Sequence, residues 1–117
     1  MGIGIDVVDV KHFERLAKKK ASYLPRWFTP EEVQECEARK RGKYECYAAR
    51  FAAKEAFFKA VGRKFPWTEI RVESPNGVPL VRCSGSAFEA TKNYRILLSL
   101  THISSLALGV VVLSQDD

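Results

Sequence analysis

Cysteine is scarce in this chain of 117 residues: Cys36, Cys46 and Cys83 are odd in number, widely spaced and contain no C-x-x-C pair. Such a set argues against a disulfide framework and against a zinc site, and it predicts reduced, buried thiols. Long hydrophobic runs are missing too, and Met1 leads straight into GIGIDVV with no basic leader or cleavage pattern. The expectation is a soluble, cytoplasmic protein without membrane association. No P-loop, H-E-x-x-H or G-x-S-x-G occurs, and GIGID lacks the third glycine of a dinucleotide fingerprint. Acidic residues are the scarcer charge, 14 Asp and Glu against 19 Lys and Arg, for a net charge of +5. The surplus gathers in KHFERLAKKK (Lys11 to Lys20) and RKRGK (Arg39 to Lys43), which points to an anionic partner.

What is present reads as one small domain over residues 1–117, with 46% hydrophobic and 28% charged residues. Gly2 to Val8 alternates as a strand, with Ile3, Ile5 and Val7 on one face and Gly2, Gly4, Asp6 and Val8 on the other. Asp6 thereby stands beside glycines, with open space expected around it. Asp9 is placed to cap a helix to about Lys19, with Val10, Phe13, Leu16 and Ala17 inward and Lys11, His12, Arg15, Lys18 and Lys19 outward. Ser22 to Phe28 has no clear period. TPEE (Thr29 to Glu32) supplies N-cap, N1 proline and N3 glutamate of a second helix, expected to fade near Gly42. A third helix runs from about Tyr44 to Val61, closed by Gly62. Strands follow near 69–73 and 78–83 about an Asn76-Gly77 turn, then a short helix at 86–92 and an antiparallel pair at 94–102 and 106–113. The fold class is α+β, with a mostly antiparallel sheet packed on a long central helix.

That central helix carries RFAAKEAFFKA (Arg50 to Ala60), in which charges interrupt an apolar run. At about 100° per residue, Glu55 and Lys59 share one stripe and Arg50 and Lys54 another. Asp6 and Glu55 are both carboxylates out of pattern, and magnesium needs only one or two protein carboxylates when water and phosphate complete its shell. Lys59 then reaches a phosphate oxygen; the alternative is a plain helical Glu55–Lys59 ion pair. Arg50 and Lys54 either line the rim of an anion site or are solvated. In SLTHIS (Ser99 to Ser104) the alternation puts Ser99 and Thr101 on one face and His102 on the other, so no Ser-His nucleophile pair forms locally.

Four blocks in order, GIGIDVVDV, RFAAKEAFFKA, NGVP and SLTHISSLALGVVV, resemble the holo-acyl-carrier-protein synthase family of small phosphopantetheinyl transferases. The resemblance implies the fold of that family and Mg²⁺-dependent transfer of phosphopantetheine from coenzyme A to a serine of apo acyl carrier protein. Adenosine 3′,5′-bisphosphate is the product, and fatty acid biosynthesis the setting. It further implies that Asp6 and Glu55 hold the metal, that Lys59 contacts the pyrophosphate, and that His102 lies near coenzyme A. Arg50 and Lys54 match positions of the same pocket. Glu55, or a water ordered by the metal, is the expected acceptor of the serine proton. An acidic carrier protein is expected to dock on Lys11, His12, Arg15 and Lys18, although His12 stands where many relatives are more strongly basic. The family is homotrimeric, with active sites between subunits. GRKFPW (Gly62 to Trp67) is shorter than the glycine-rich loop of many relatives, and Arg63 and Lys64 are expected to supply the phosphate contacts that loop would make.

A nucleic-acid-binding module, with Trp27, Trp67 and Tyr44 as stacking residues, is the rival reading. It leaves Asp6 and Glu55 unexplained, so no nucleic-acid partner is expected. A degenerate, non-catalytic subunit is disfavoured because both carboxylates are present.

Overall fold

The computed structural model describes residues 1–115. Strand β1 (Gly2–Asp9) runs directly into helix α1 (Val10–Lys19), because Asp9 accepts a hydrogen bond from the His12 amide at 2.8 Å and caps the helix. A 3₁₀ turn at Ala21–Tyr23 and the one-turn helix α2 (Leu24–Trp27) fill the stretch without clear period. Helix α3 (Pro30–Glu37) starts on the expected capping box, with Thr29 and Glu32 bonded reciprocally. It stops five residues before Gly42. Gly42, at φ 74°, turns the chain into the long helix α4 (Lys43–Val61), which ends at Gly62, φ 90°.

Strands β2 (Ile70–Glu73) and β3 (Leu80–Cys83) form a two-stranded antiparallel hairpin about Asn76 and Gly77, both at positive φ. Helix α5 (Gly85–Thr91) leads to β4 (Tyr94–His102) and β5 (Leu106–Gln115). The second sheet is antiparallel in the order β1-β5-β4. Its register places Asp6 opposite Gly109 and Gly109 opposite Leu100. No helix among the described residues is long and apolar enough to cross a membrane.

Helix α4 lies against one face of this sheet, and small residues on both sides permit it. A Cβ at Gly4 would stand 1.9 Å from the Ala56 carbonyl oxygen, and one at Gly109 2.8 Å from the Ala53 nitrogen. This corrects the expectation of open space beside Asp6, since the glycine face of β1 is filled by helix backbone. Ile3, Ile5 and Val7 point the other way and are 70%, 58% and 56% exposed.

The cysteines require a second correction. Cys36 on α3 and Cys46 on α4 are joined in a disulfide, with Cα atoms 5.6 Å apart, and only Cys83 is free. The tight turn between the helices brings together two residues that spacing alone did not pair.

Candidate functional site

Two clusters of polar side chains stand on opposite edges of the β1-β5-β4 sheet. On the β1 edge, the ammonium of Lys59 donates to Asp6 Oδ1 and to the Ile5 carbonyl, both at 3.0 Å. The alternative, a helical Glu55–Lys59 ion pair, is therefore not the one formed. Lys59 reaches across to the strand because β1 and α4 approach at the glycines. Glu55, half-buried beside them, has its carboxyl pushed above the usual carboxylate range by burial and by the charge of Asp6, against the pull of Lys64 and Lys59. Lys64 thus belongs electrostatically to this cluster. Arg63 instead covers the Phe65 ring, its guanidinium carbon 4.4 Å from the centroid.

Among the described residues no group of three or more His, Cys, Asp or Glu forms a ready cage for a metal. The donors at Asp6 and Glu55 are nonetheless oxygens only, they repel each other, and a cation already neutralises one of them. That set fits a hard divalent ion that keeps water and takes further oxygens from a substrate.

On the β4 edge, Arg39, Cys46, Arg50 and His102 line a small cavity of about 160 Å³, with Ser74 and Pro79 of the hairpin. Arg50 is 3% exposed. Its Nη1 donates to Cys46 Sγ at 3.1 Å, and Nη2 lies 2.7 Å from Glu35 Oε1, close enough for an ion pair but not aligned as a hydrogen bond. Nε and Nη2 are buried donors with no hydrogen-bond acceptor among the described residues, a state that favours an anion in the cavity. Arg39 escaped the sequence reading as a site residue, although it heads the RKRGK cluster that signalled an anion.

Lys54 does not line that rim. It is wholly buried, donating to Glu32 Oε1 at 2.7 Å and to the carbonyls of Trp27 at 2.6 Å and Trp67 at 3.2 Å. Burial lowers its pKa below the usual lysine range, against the pull of Glu32. Its partners are a structural tie between α4, α3 and the loops. The two tryptophans proposed for stacking are likewise spent in packing: Trp67 stacks on Phe51 at 4.9 Å and Trp27 meets Phe51 edge-on at 5.3 Å. On α1 the side chains of Lys11, His12, Arg15 and Lys18 are exposed as expected, with Lys18 tied to Glu14 at 2.9 Å.

Residues 2–111 match the model of the 4′-phosphopantetheinyl transferase superfamily. The chain belongs to that superfamily. It is 42% identical to the holo-[acyl-carrier-protein] synthase of Desulforudis audaxviator, over 96% of this chain and 91% of that one. Among solved structures, the holo-(acyl-carrier-protein) synthase of Bacillus anthracis, in complex with CoA (3′,5′-ADP), superposes with a TM-score of 0.84 at 30% identity, covering 98% and 96% of the two chains. The Helicobacter pylori synthase, in complex with coenzyme A, gives 0.82 at 29% identity over 96% and 99%. The mixed fold with an antiparallel sheet is that of these transferases, and the chain is a phosphopantetheinyl transferase by family.

Proposed function

We propose that this transferase moves 4′-phosphopantetheine from coenzyme A to a serine of an apo acyl carrier protein, with Mg²⁺, releasing adenosine 3′,5′-bisphosphate. The observation that carries the reading is the carboxylate pair Asp6 and Glu55, electrostatically coupled, with Lys59 and Lys64 around it. Asp6 and Glu55 are the residues that would hold the metal, which when bound would supply Lewis-acid stabilisation of the phosphoryl oxygens.

The serine hydroxyl attacks the β-phosphorus, and the bond to the bisphosphate breaks. Lys59 and Lys64 neutralise charge that grows on the phosphoryl and bridging oxygens. Glu55 takes the serine proton. Retention of full activity by Glu55→Gln would refute direct proton transfer and leave a metal-ordered water as base. The carrier protein docks on α1 through Lys11, Arg15 and Lys18, with His12 beside them, and raised salt weakens the docking.

The enzyme works as a homotrimer with active sites between subunits. Within one chain Arg50 and His102 stand on the β4 edge and Asp6 on the β1 edge, separated by about 10 Å of sheet. A closed ring with heterologous contacts sets the β4 edge of one subunit against the β1 edge of the next, whereas a two-fold dimer pairs like with like. Arg39, Arg50 and His102 of one subunit would then hold the bisphosphate end of coenzyme A whose β-phosphoryl lies at Asp6 and Glu55 of its neighbour. Cytoplasm, where coenzyme A and carrier protein are dissolved, is the compartment this chemistry suits.

The test is the intact mass of an apo acyl carrier protein after incubation with the enzyme, coenzyme A and Mg²⁺. A gain of one phosphopantetheine, abolished by EDTA and in the Asp6→Ala, Glu55→Ala double variant, is the expected result. No gain with several carrier proteins, while coenzyme A still binds, would reassign the acceptor.

A further inference from the structure

The Cys36–Cys46 disulfide closes a loop that holds the RKRGK cluster, and Cys46 is at once a wall of the Arg39, Arg50 and His102 cavity. The two sulfurs are not equivalent. Both are buried, Cys36 on α3 at 0% and Cys46 on α4 at 4% exposed, but only Cys46 lines the cavity, with the Arg50 guanidinium donating to its sulfur at 3.1 Å. A neighbouring guanidinium stabilises negative charge on sulfur, and the thiolate is the attacking form of cysteine. A pair so placed in a chain that carries no other disulfide among its described residues has the make-up of a reversible redox site rather than of a disulfide framework.

We propose that Cys36 and Cys46 form a thiol–disulfide switch on the anion cavity, with Cys46 the nucleophile and Cys36 the resolving thiol. The oxidant is a low-molecular-weight disulfide, RSSR, with acidic substituents drawn by Arg39 and Arg50. The Cys46 thiolate attacks one sulfur of RSSR and expels RS⁻, which takes up the proton Cys46 has given up. Cys36 then attacks Cys46 Sγ, expels the second RS⁻, and its own proton leaves with that thiol. Two protein thiols are oxidised and one RSSR is reduced to two RSH.

Closing the disulfide fixes the ends of the 36–46 loop against α4, and with them Arg39 at the cavity and the sulfur that Arg50 touches. The closed form is therefore the one with high affinity for a doubly phosphorylated nucleoside; opening frees the loop and weakens binding. The ligand assigned to the cavity rests on the function proposed above, whereas the order of sulfur attack does not.

The experiment has two arms on the full chain. In the first, Cys36→Ser and Cys46→Ser are equilibrated with oxidised glutathione and mapped by mass. A mixed disulfide on Cys46 in the former, and none on Cys36 in the latter, is expected; first attack at Cys36, or at neither, overturns the proposal. Cys83 is the internal reference, since it is free in both states. In the second, the affinity for adenosine 3′,5′-bisphosphate is measured by calorimetry on the oxidised and the reduced protein. Binding several-fold weaker after reduction, and set at the reduced level in a Cys36→Ala, Cys46→Ala variant under either condition, is expected. Equal, measurable affinity overturns the switch alone. No binding in either state overturns the ligand reading of the cavity together with the switch built on it.

Discussion

At the residue scale the carboxylates and the lysines of α4 behave differently, and the difference follows from where their partners sit. Asp6 and Glu55 were legible because each is a carboxylate in a setting whose pattern has no use for one. Lys54 was not, because its counter-ion Glu32 lies 22 residues away on α3 and helical periodicity describes only the helix itself. Lys54→Met leaves the Glu32 carboxylate buried without its cation and is expected to cost about 3–5 kcal/mol, read by chemical denaturation. The fraction still folded should retain transferase activity, because Lys54 does not face the carboxylate cluster. Glu55 gives the opposite sign. Its folded pKa stands above the ordinary 4.5, so between those values the folded protein binds more protons than the unfolded one and stability falls as pH rises through the window. Above the folded pKa that cost is complete. Glu55→Gln should therefore stabilise the metal-free protein at pH 7, by less than about 1 kcal/mol for a partly exposed group, while losing the thermal stabilisation that Mn²⁺ or Mg²⁺ is expected to give the parent if the proposed site holds the metal. Thermal unfolding with and without metal checks both halves.

At the scale of elements, local chemistry gave most of the secondary structure: the Asp9 cap, the Thr29–Glu32 box, the Gly62 stop and the Asn76-Gly77 turn stand where their residues place them. Packing between elements was less legible. Alternation in β1 identified its two faces, yet hydrophobicity alone assigns the isoleucine face to the core and the glycine face to open space, and the structure does the reverse. The glycines exist because α4 approaches the strand at backbone distance, and the alanines of RFAAKEAFFKA are the matching surface. Gly4→Ala should accordingly cost about 3 kcal/mol in denaturant unfolding, as a methyl group driven into the Ala56 carbonyl. Gly62→Ala, where only positive φ is at stake and nothing lies within 4 Å, should cost about 1 kcal/mol. Equal losses at the two positions would contradict the close helix–strand approach. Helix α3 ended early for a related reason: the chain must reverse before Gly42 for Cys36 and Cys46 to meet, and only tertiary contact reveals that.

At the scale of the whole molecule, the sheet face away from α4 bears Ile3, Ile5, Val7 and Leu97 exposed, with half-buried Leu108, Val110 and Val112 between them in register. So continuous an apolar surface calls for a cover, and the two polar edges that flank it each hold half of the residues that the proposed reaction would use. Assembly in a closed ring of three meets both requirements at once. It makes a distinctive kinetic prediction. Asp6→Ala removes the carboxylate half of every site, and a His102→Ala, Arg50→Ala double variant removes the anion half. Each protein alone should be inactive or nearly so. If the halves come from neighbouring subunits, denaturing the two together and refolding them as mixed rings restores about a quarter of the sites, because each site draws one half from each of two chains. Activity of the co-refolded mixture well above that of the same proteins refolded separately and then combined is the expected outcome, measured by carrier-protein mass. Equal activity of the two preparations, with mixed rings verified by native mass spectrometry, would mean that both halves serve a site within one chain, and the apolar face would then need a different partner.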